Sequence, residues 1–218
     1  MTSPLIKYPD QTILLPPTYC GNIDYYAVMA AYGNVVIDRY WKYDKRKKNT
    51  HRCTIADTHG TLQLTIPIEK PVTSRQAAWN DINISTHGQW WNVHRTALES
   101  AYGRTPFFEY YFDRFAPFFN HRDYFTKENL MTFVCDIDAV IRDILQLNNV
   151  ISYSSENITN ITKDYRSNEF DFITPVEYYQ VRKTQLGFIP HLSILDLIFN
   201  MGPESPMILL KMLKNYTL

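Results

Sequence analysis

Ser193, Asp196 and Asn200 stand three and four residues apart, so in a helix they form a single polar stripe. Around them Ile194, Leu195, Leu197, Ile198 and Phe199 are apolar on nearly every side, the composition of a helix enclosed by protein. Ser193 can cap this helix, while Gly202 and Pro203 end it. A carboxylate taken out of water costs several kcal/mol unless it is paired or hydrogen-bonded, so Asp196 requires a partner, a ligand or a shifted pKa. That makes it a candidate catalytic base. His94, on the apolar face of a helix with Trp90, Trp91 and Leu98, is the other: partial burial lowers an imidazole pKa into a useful range, although a histidine so placed is more often a satisfied core residue.

Other chemistry-bearing residues surround these two. The run Lys42 to Arg52 is the densest positive stretch of the chain and would suit a phosphate, a diphosphate sugar or an RNA backbone, if it is not simply a solvated loop. Arg52 differs from the rest of the run because it opens a strand beside Cys53, where a fixed guanidinium can meet an anionic ligand. Glu109 lies in an aromatic run, Pro106 to Phe112: facing inward it would be a raised-pKa acid, facing outward it would only complement the positive end of its helix. Cys53 with His94 is a conceivable nucleophile and base without a local signature. Tyr19, Arg52, Cys53, Glu109, Ser193 and Asn200 are the expected substrate-binding residues. No metal site is expected, because Cys20, Cys53 and Cys135 are too few and wrongly spaced for one. Phosphate-loop, dinucleotide, zinc-protease and serine-hydrolase signatures are all absent.

The elements that would carry these groups follow from the apolar pattern. Thr12 to Leu15 reads as a buried strand stopped by Pro16 and Pro17. Gly21 to Asp24 is a turn and helix cap, Tyr25 to Tyr32 a helix closed by Gly33-Asn34, and Val35 to Ile37 a second strand parallel to the first. In such βαβ sheets ligands sit at the carboxyl ends of strands, here the Pro16 to Asn22 loop. Cys53–Ile55 and Leu62–Ile68 form a hairpin about Asp57 to Gly60, with Ile82–Ile84 as a further short strand. Helical periods begin at Gln89, at Thr105-Pro106 and at a Thr126 cap, the last running to about Leu147. Ser152 to Asp171 is polar and reads as a mobile loop, with sequons at Asn157 and Asn160. The expected fold is therefore α/β: an N-terminal βαβ unit with a Rossmann-like parallel core, an inserted β-hairpin and a mainly helical C-terminal half. The 218 residues suit one domain, with residues 1–84 its α/β part and 85–218 its helical part.

Lys+Arg and Asp+Glu are equal at 22 each, so no global field draws the chain to nucleic acid or an anionic membrane. No run approaches the roughly 18 apolar residues of a membrane span, and the N-terminal residues lack a secretory pattern, so a cytoplasmic protein with reduced thiols is expected. Oligomeric state is not legible.

Four ordered motifs resemble the WbqC-like family of bacterial surface-polysaccharide and O-antigen gene clusters: Leu14 to Tyr26; His51 to Ile55 with Leu64 to Ile68; Trp91 to Thr96 with Ala101 to Phe108; and Phe188 to Gly202. His51 and His191 stand where the family pattern has asparagine. The resemblance implies a transferase or ligase that joins a small acyl or aminoacyl group, glycine being the family's suggestion, to an amino sugar on a nucleotide or lipid carrier. Either ATP or an activated acyl donor would supply the reactive carboxyl. The alternative it leaves open is a non-catalytic sugar-nucleotide-binding or scaffold protein of the same pathway.

Overall fold

β1 (Tyr8–Leu15) ends in Ile13, Leu14 and Leu15, all without solvent exposure, and Pro16-Pro17 stops the ladder because proline has no N–H to donate. The structure, a computed structural model of the whole chain, describes every residue except 1–4, 72–76, 86, 121–128, 157, 159–162, 168–169, 171 and 215–218. After the loop comes α1 (Ile23–Ala31), capped by Asn22, whose side chain accepts from the Tyr25 amide at 3.0 Å. Every residue of α1 is buried, so this short helix is stable through packing rather than through propensity. It runs directly into β2 (Tyr32–Ile37), which pairs parallel to β1 with Leu15 opposite Ile37.

Gly33-Asn34 therefore lies inside β2 and does not close the preceding helix, as the sequence had suggested. The reason is steric. A Cβ at Gly33 would stand 1.9 Å from the Pro9 carbonyl oxygen, so only glycine lets the two strands approach there. Because the obstacle is backbone, Gly33→Ala is expected to part β1 from β2 at a cost of roughly 3 kcal/mol or more. For a protein of this size that is a fall in melting temperature on the order of 10 °C, measurable by thermal denaturation.

A third strand, β5 (Val150–Tyr153), completes the sheet on the other side of β2, in the order β1-β2-β5 and parallel throughout. It occupies part of the stretch expected to be a mobile loop. Asp164 and Arg166 from the same stretch are also fixed, Arg166 reaching the buried Asp38 carboxylate at 2.8 Å. Both sequons fall outside the described residues.

Between β2 and β5 the chain inserts the antiparallel hairpin β3 (Arg52–Asp57) and β4 (Gly60–Thr65), then α2 (Trp90–Tyr102), α3 (Phe108–Phe115) and α4 (Leu130–Ile144). Ile82–Ile84 contributes isolated bridges rather than a strand. The last described cap of α4 is Asn129; Thr126 lies outside the described residues. Tyr26 of α1 and Arg142 of α4 both hydrogen-bond the buried Asp138 carboxylate at 2.7 Å, tying that helix to the sheet layer. Beyond β5 come the short α5 (Lys183–Leu186), then α6 (Ile194–Met201) and α7 (Ser205–Lys214), giving six helices in the C-terminal half among the described residues. None of them is long and apolar enough to cross a membrane.

Candidate functional site

The loop from Pro16 to Asn22 leaves the carboxyl end of β1 and forms one wall of a small cavity of about 100 Å³. Three segments meet there. Cys20, Gly21 and Asn22 come from the loop, Arg52, Cys53 and Thr54 from β3, and His191 and Ser193 from the approach to α6. Ser193 holds the three together: its amide donates to the Thr54 carbonyl at 2.7 Å and its hydroxyl to the Cys20 carbonyl at 2.8 Å. The Leu195 amide in turn donates to that hydroxyl at 3.3 Å, so one side chain both caps α6 and pins the cavity walls.

Cys20 adopts a φ of +43° and His191 a φ of +59°, left-handed conformations that L-residues with side chains adopt rarely. Two such residues on one cavity mark it as a place where backbone strain is tolerated, as it is at functional sites. Arg52 donates from Nη1 to the Gln63 amide oxygen at 3.1 Å, while its buried Nε has no partner. Among the described residues it has no acidic partner within ion-pair distance.

His191, which lines the same cavity, belongs to a pair that sequence reasoning missed. Asp24, in the first turn of α1 and almost wholly buried, accepts from His191 Nδ1 at 2.7 Å and from Asn22 Nδ2 at 3.0 Å. Burial raises the Asp24 pKa, and the hydrogen bond and charge of His191 pull it back part of the way. Because the carboxylate engages Nδ1, it fixes the imidazole tautomer and leaves Nε2 as the nitrogen able to take a proton. The two residues lie 167 positions apart, and no local spacing could have joined them. The available signal was an acid in the first turn of an otherwise apolar helix, next to the loop where ligands were expected.

The expected bases lie elsewhere. His94 is buried, with Nδ1 2.9 Å from the Tyr19 hydroxyl and Nε2 3.1 Å from the Thr65 carbonyl. Since the carbonyl can only accept, Nε2 carries the hydrogen and Nδ1 accepts from Tyr19. Burial lowers the His94 pKa to about 4, so it stays neutral and braces Tyr19 beneath the loop. Asp196 is buried too, but around a second void of only about 10 Å³. Its Oδ2 accepts from the Tyr178 hydroxyl at 2.5 Å and from Gln180 Nε2 at 3.1 Å. Burial raises its pKa, opposed by the hydrogen bonds of Tyr178, Tyr102 and Gln180, all neutral donors.

Asn200 accepts from the Val181 amide at 3.0 Å and donates to the Asp196 carbonyl, which fixes the same segment. The predicted stripe thus divides: Ser193 reaches the first cavity with Arg52 and Cys53, whereas Asp196 and Asn200 serve the second. Tyr19 is fully buried behind the first cavity, and Glu109 is on the exposed face of α3. Within the basic run, Arg46 is exposed and paired with Asp44 at 2.8 Å, and Asn49 and Arg52 are the members that line the cavity. Among the described residues no group of three or more acidic, cysteine or histidine side chains is arranged to hold a metal.

A parallel βαβ sheet with a separate antiparallel hairpin and a helical C-terminal half defines an α/β protein, and a small polar cavity lies at the carboxyl end of its first strand. The chain belongs to the WbqC-like protein family, whose profile matches residues 16–170. That span contains the loop, Asp24 and β3, while His191 and Ser193 lie beyond it. No characterised protein and no solved structure matches the chain.

Proposed function

We propose that the protein transfers a small acyl or aminoacyl group to the amine of a nucleotide- or lipid-linked amino sugar in surface-polysaccharide assembly. The observation that carries this reading is the Asp24–His191 pair facing a cavity that also holds Arg52. Amide formation needs a base for the incoming ammonium and a cationic or N–H partner for the carboxyl that reacts. His191 Nε2 takes the ammonium proton, and Asp24 stabilises the imidazolium that results. The freed amine attacks the acyl carbon, the new C–N bond replaces the bond to the leaving group, and Arg52 steadies the negative charge that develops on the acyl oxygen. His191 thereby takes the role that the sequence gave to His94 or Asp196.

Volume limits what enters. Pockets for whole drug-sized ligands run to about 300–1,000 Å³, so a cavity of about 100 Å³ admits the reacting end of a substrate and not an entire sugar nucleotide. A glycyl group is of the right size.

The test is amide formation, followed by mass spectrometry, across activated acyl and aminoacyl donors and amino-sugar nucleotides. Arg52→Ala is expected to lower kcat/KM by roughly 10- to 100-fold, the worth of about 1.5–3 kcal/mol for a hydrogen bond to a charged group. Arg52→Lys should recover only part, since it restores the charge but not the planar fork. A wild-type protein that binds amino-sugar nucleotides yet forms no amide from any donor would leave the non-catalytic reading.

A further inference from the structure

Three voids follow one another along β3 and the turn that follows it. Thr54 lines the cavity described above, Ala56 the small void over Asp196, and Thr58 a surface cleft of about 660 Å³. The opposite wall keeps the same order in reverse: Ser193 and His191, then Ile189 and Gly187, then Gln185. Ala101, Val181 and Arg182 border both the second and third voids, so these two adjoin. Gln180 fixes the narrow middle, its amide pairing with Ile189 in both directions at 2.8 and 2.9 Å while also reaching Asp196.

The far cleft carries two arginines. Arg182 Nη2 is aimed by the carbonyls of Ser100 and Ala101, at 3.1 and 3.4 Å, at the end of α2. Its Nε is buried without a partner, and Nη1 makes no bond among the described residues. Arg104, just past the end of α2, is exposed and has no ion pair among the described residues. The acid of this cleft, Glu99, is already held by Arg95 at 2.9 Å. The cleft thus presents two guanidinium groups with donors to spare, in a volume within the usual range for small-molecule sites.

We propose that Arg104 and Arg182 bind the diphosphate of a carrier-linked substrate, whose other end lies toward the cavity of His191 and Arg52 at the far end of β3. This rests on the reading of that cavity given above and adds the second point of attachment. The span fits. At about 3.3 Å per strand residue, Asp57, the last residue of β3 before the turn that holds Thr58, lies roughly 10 Å from Thr54, too far for a small acid to bridge but within reach of linked groups. Guanidinium forks suit the bidentate geometry of phosphate oxygens, and the absence of a matching acid leaves the charge to the ligand.

Inorganic pyrophosphate is the probe, titrated calorimetrically into the intact protein at low and at physiological salt. Binding is expected, weaker at higher salt, and at least tenfold weaker in Arg104→Glu, which alters an exposed side chain and leaves the α2 cap in place. Arg182→Ala should weaken it similarly, with a thermal melt reporting any loosening of α2. Arg52→Ala should leave pyrophosphate binding unchanged. UDP and geranyl diphosphate serve as competitors, and whichever displaces pyrophosphate more tightly identifies a nucleotide or a lipid as the carrier. The proposal falls if pyrophosphate does not bind, if neither competitor displaces it, or if Arg52→Ala abolishes binding that Arg104→Glu leaves intact. Amide formation lost in a His191 variant that still binds pyrophosphate separates this site from the catalytic one.

Discussion

His191→Asn is expected to lower kcat/KM for amide formation by about 10²–10⁴-fold, the usual worth of a positioned general base, while leaving the fold and ligand affinity nearly unchanged. The choice of asparagine is deliberate. Its Nδ2 can stand where His191 Nδ1 stands, keeping the bond to Asp24 that now measures 2.7 Å, but it offers nothing that can accept a proton. An asparagine variant with full activity would show that Asp24 needs only a neutral donor and that the proton leaves by another route. Asp24→Asn gives the complementary measurement, because its amide N–H can donate to Nδ1 and so place the imidazole hydrogen on Nε2, which then cannot take the ammonium proton.

How far the sequence reaches can be judged residue by residue. Pro16-Pro17 after an apolar run, Gly60 between alternating segments and Asn22 before Ile23 mark β1, the hairpin and the start of α1, since each exploits a local backbone rule that does not depend on the rest of the chain. The position of the cavity followed from the topology they imply. β5 did not, because an edge strand with three exposed residues of four carries no apolar alternation. Gly33 misled for a related reason: glycine signals a turn as readily as a close approach of two backbones, and only the Pro9 carbonyl opposite decides between them. In the site, the inward side of α6 was legible from its apolar surroundings, but the partners of Asp196 were not. Tyr178 and Gln180 lie in a segment with no regular structure, where side-chain direction has no period to follow. The Asp24–His191 pair was hidden by sequence separation alone.

Asp196 offers a large stability effect and a pH dependence of definite sign. Asp196→Ala removes the acceptor of Tyr178 and Gln180 and leaves buried donors unpaired, which should cost roughly 3 kcal/mol or more. Asp196→Asn keeps an oxygen for Tyr178 and should cost less. The carboxyl pKa is raised because burial withholds water from the charged form, and the neutral donors around it only partly offset this. A carboxyl that ionises less readily in the folded than in the unfolded chain binds its proton more tightly when folded. The wild type therefore loses stability as pH rises from the unfolded value, about 3.9, to the raised folded value, and no further beyond it. Below that window both states are protonated and the penalty is absent. Asparagine does not titrate, so the stability of wild type relative to Asp196→Asn should fall across the window, with Asp24 and Asp138, also raised by burial, common to both proteins. Urea unfolding of the two proteins between acid and neutral pH measures the difference. A flat difference, or one that rises with pH, would mean that the carboxylate ionises freely beside a cation. Should Asp196→Asn stay fully stable at neutral pH and yet lose activity, the carboxylate acts in the reaction itself, and the small void that it lines would be part of the catalytic site.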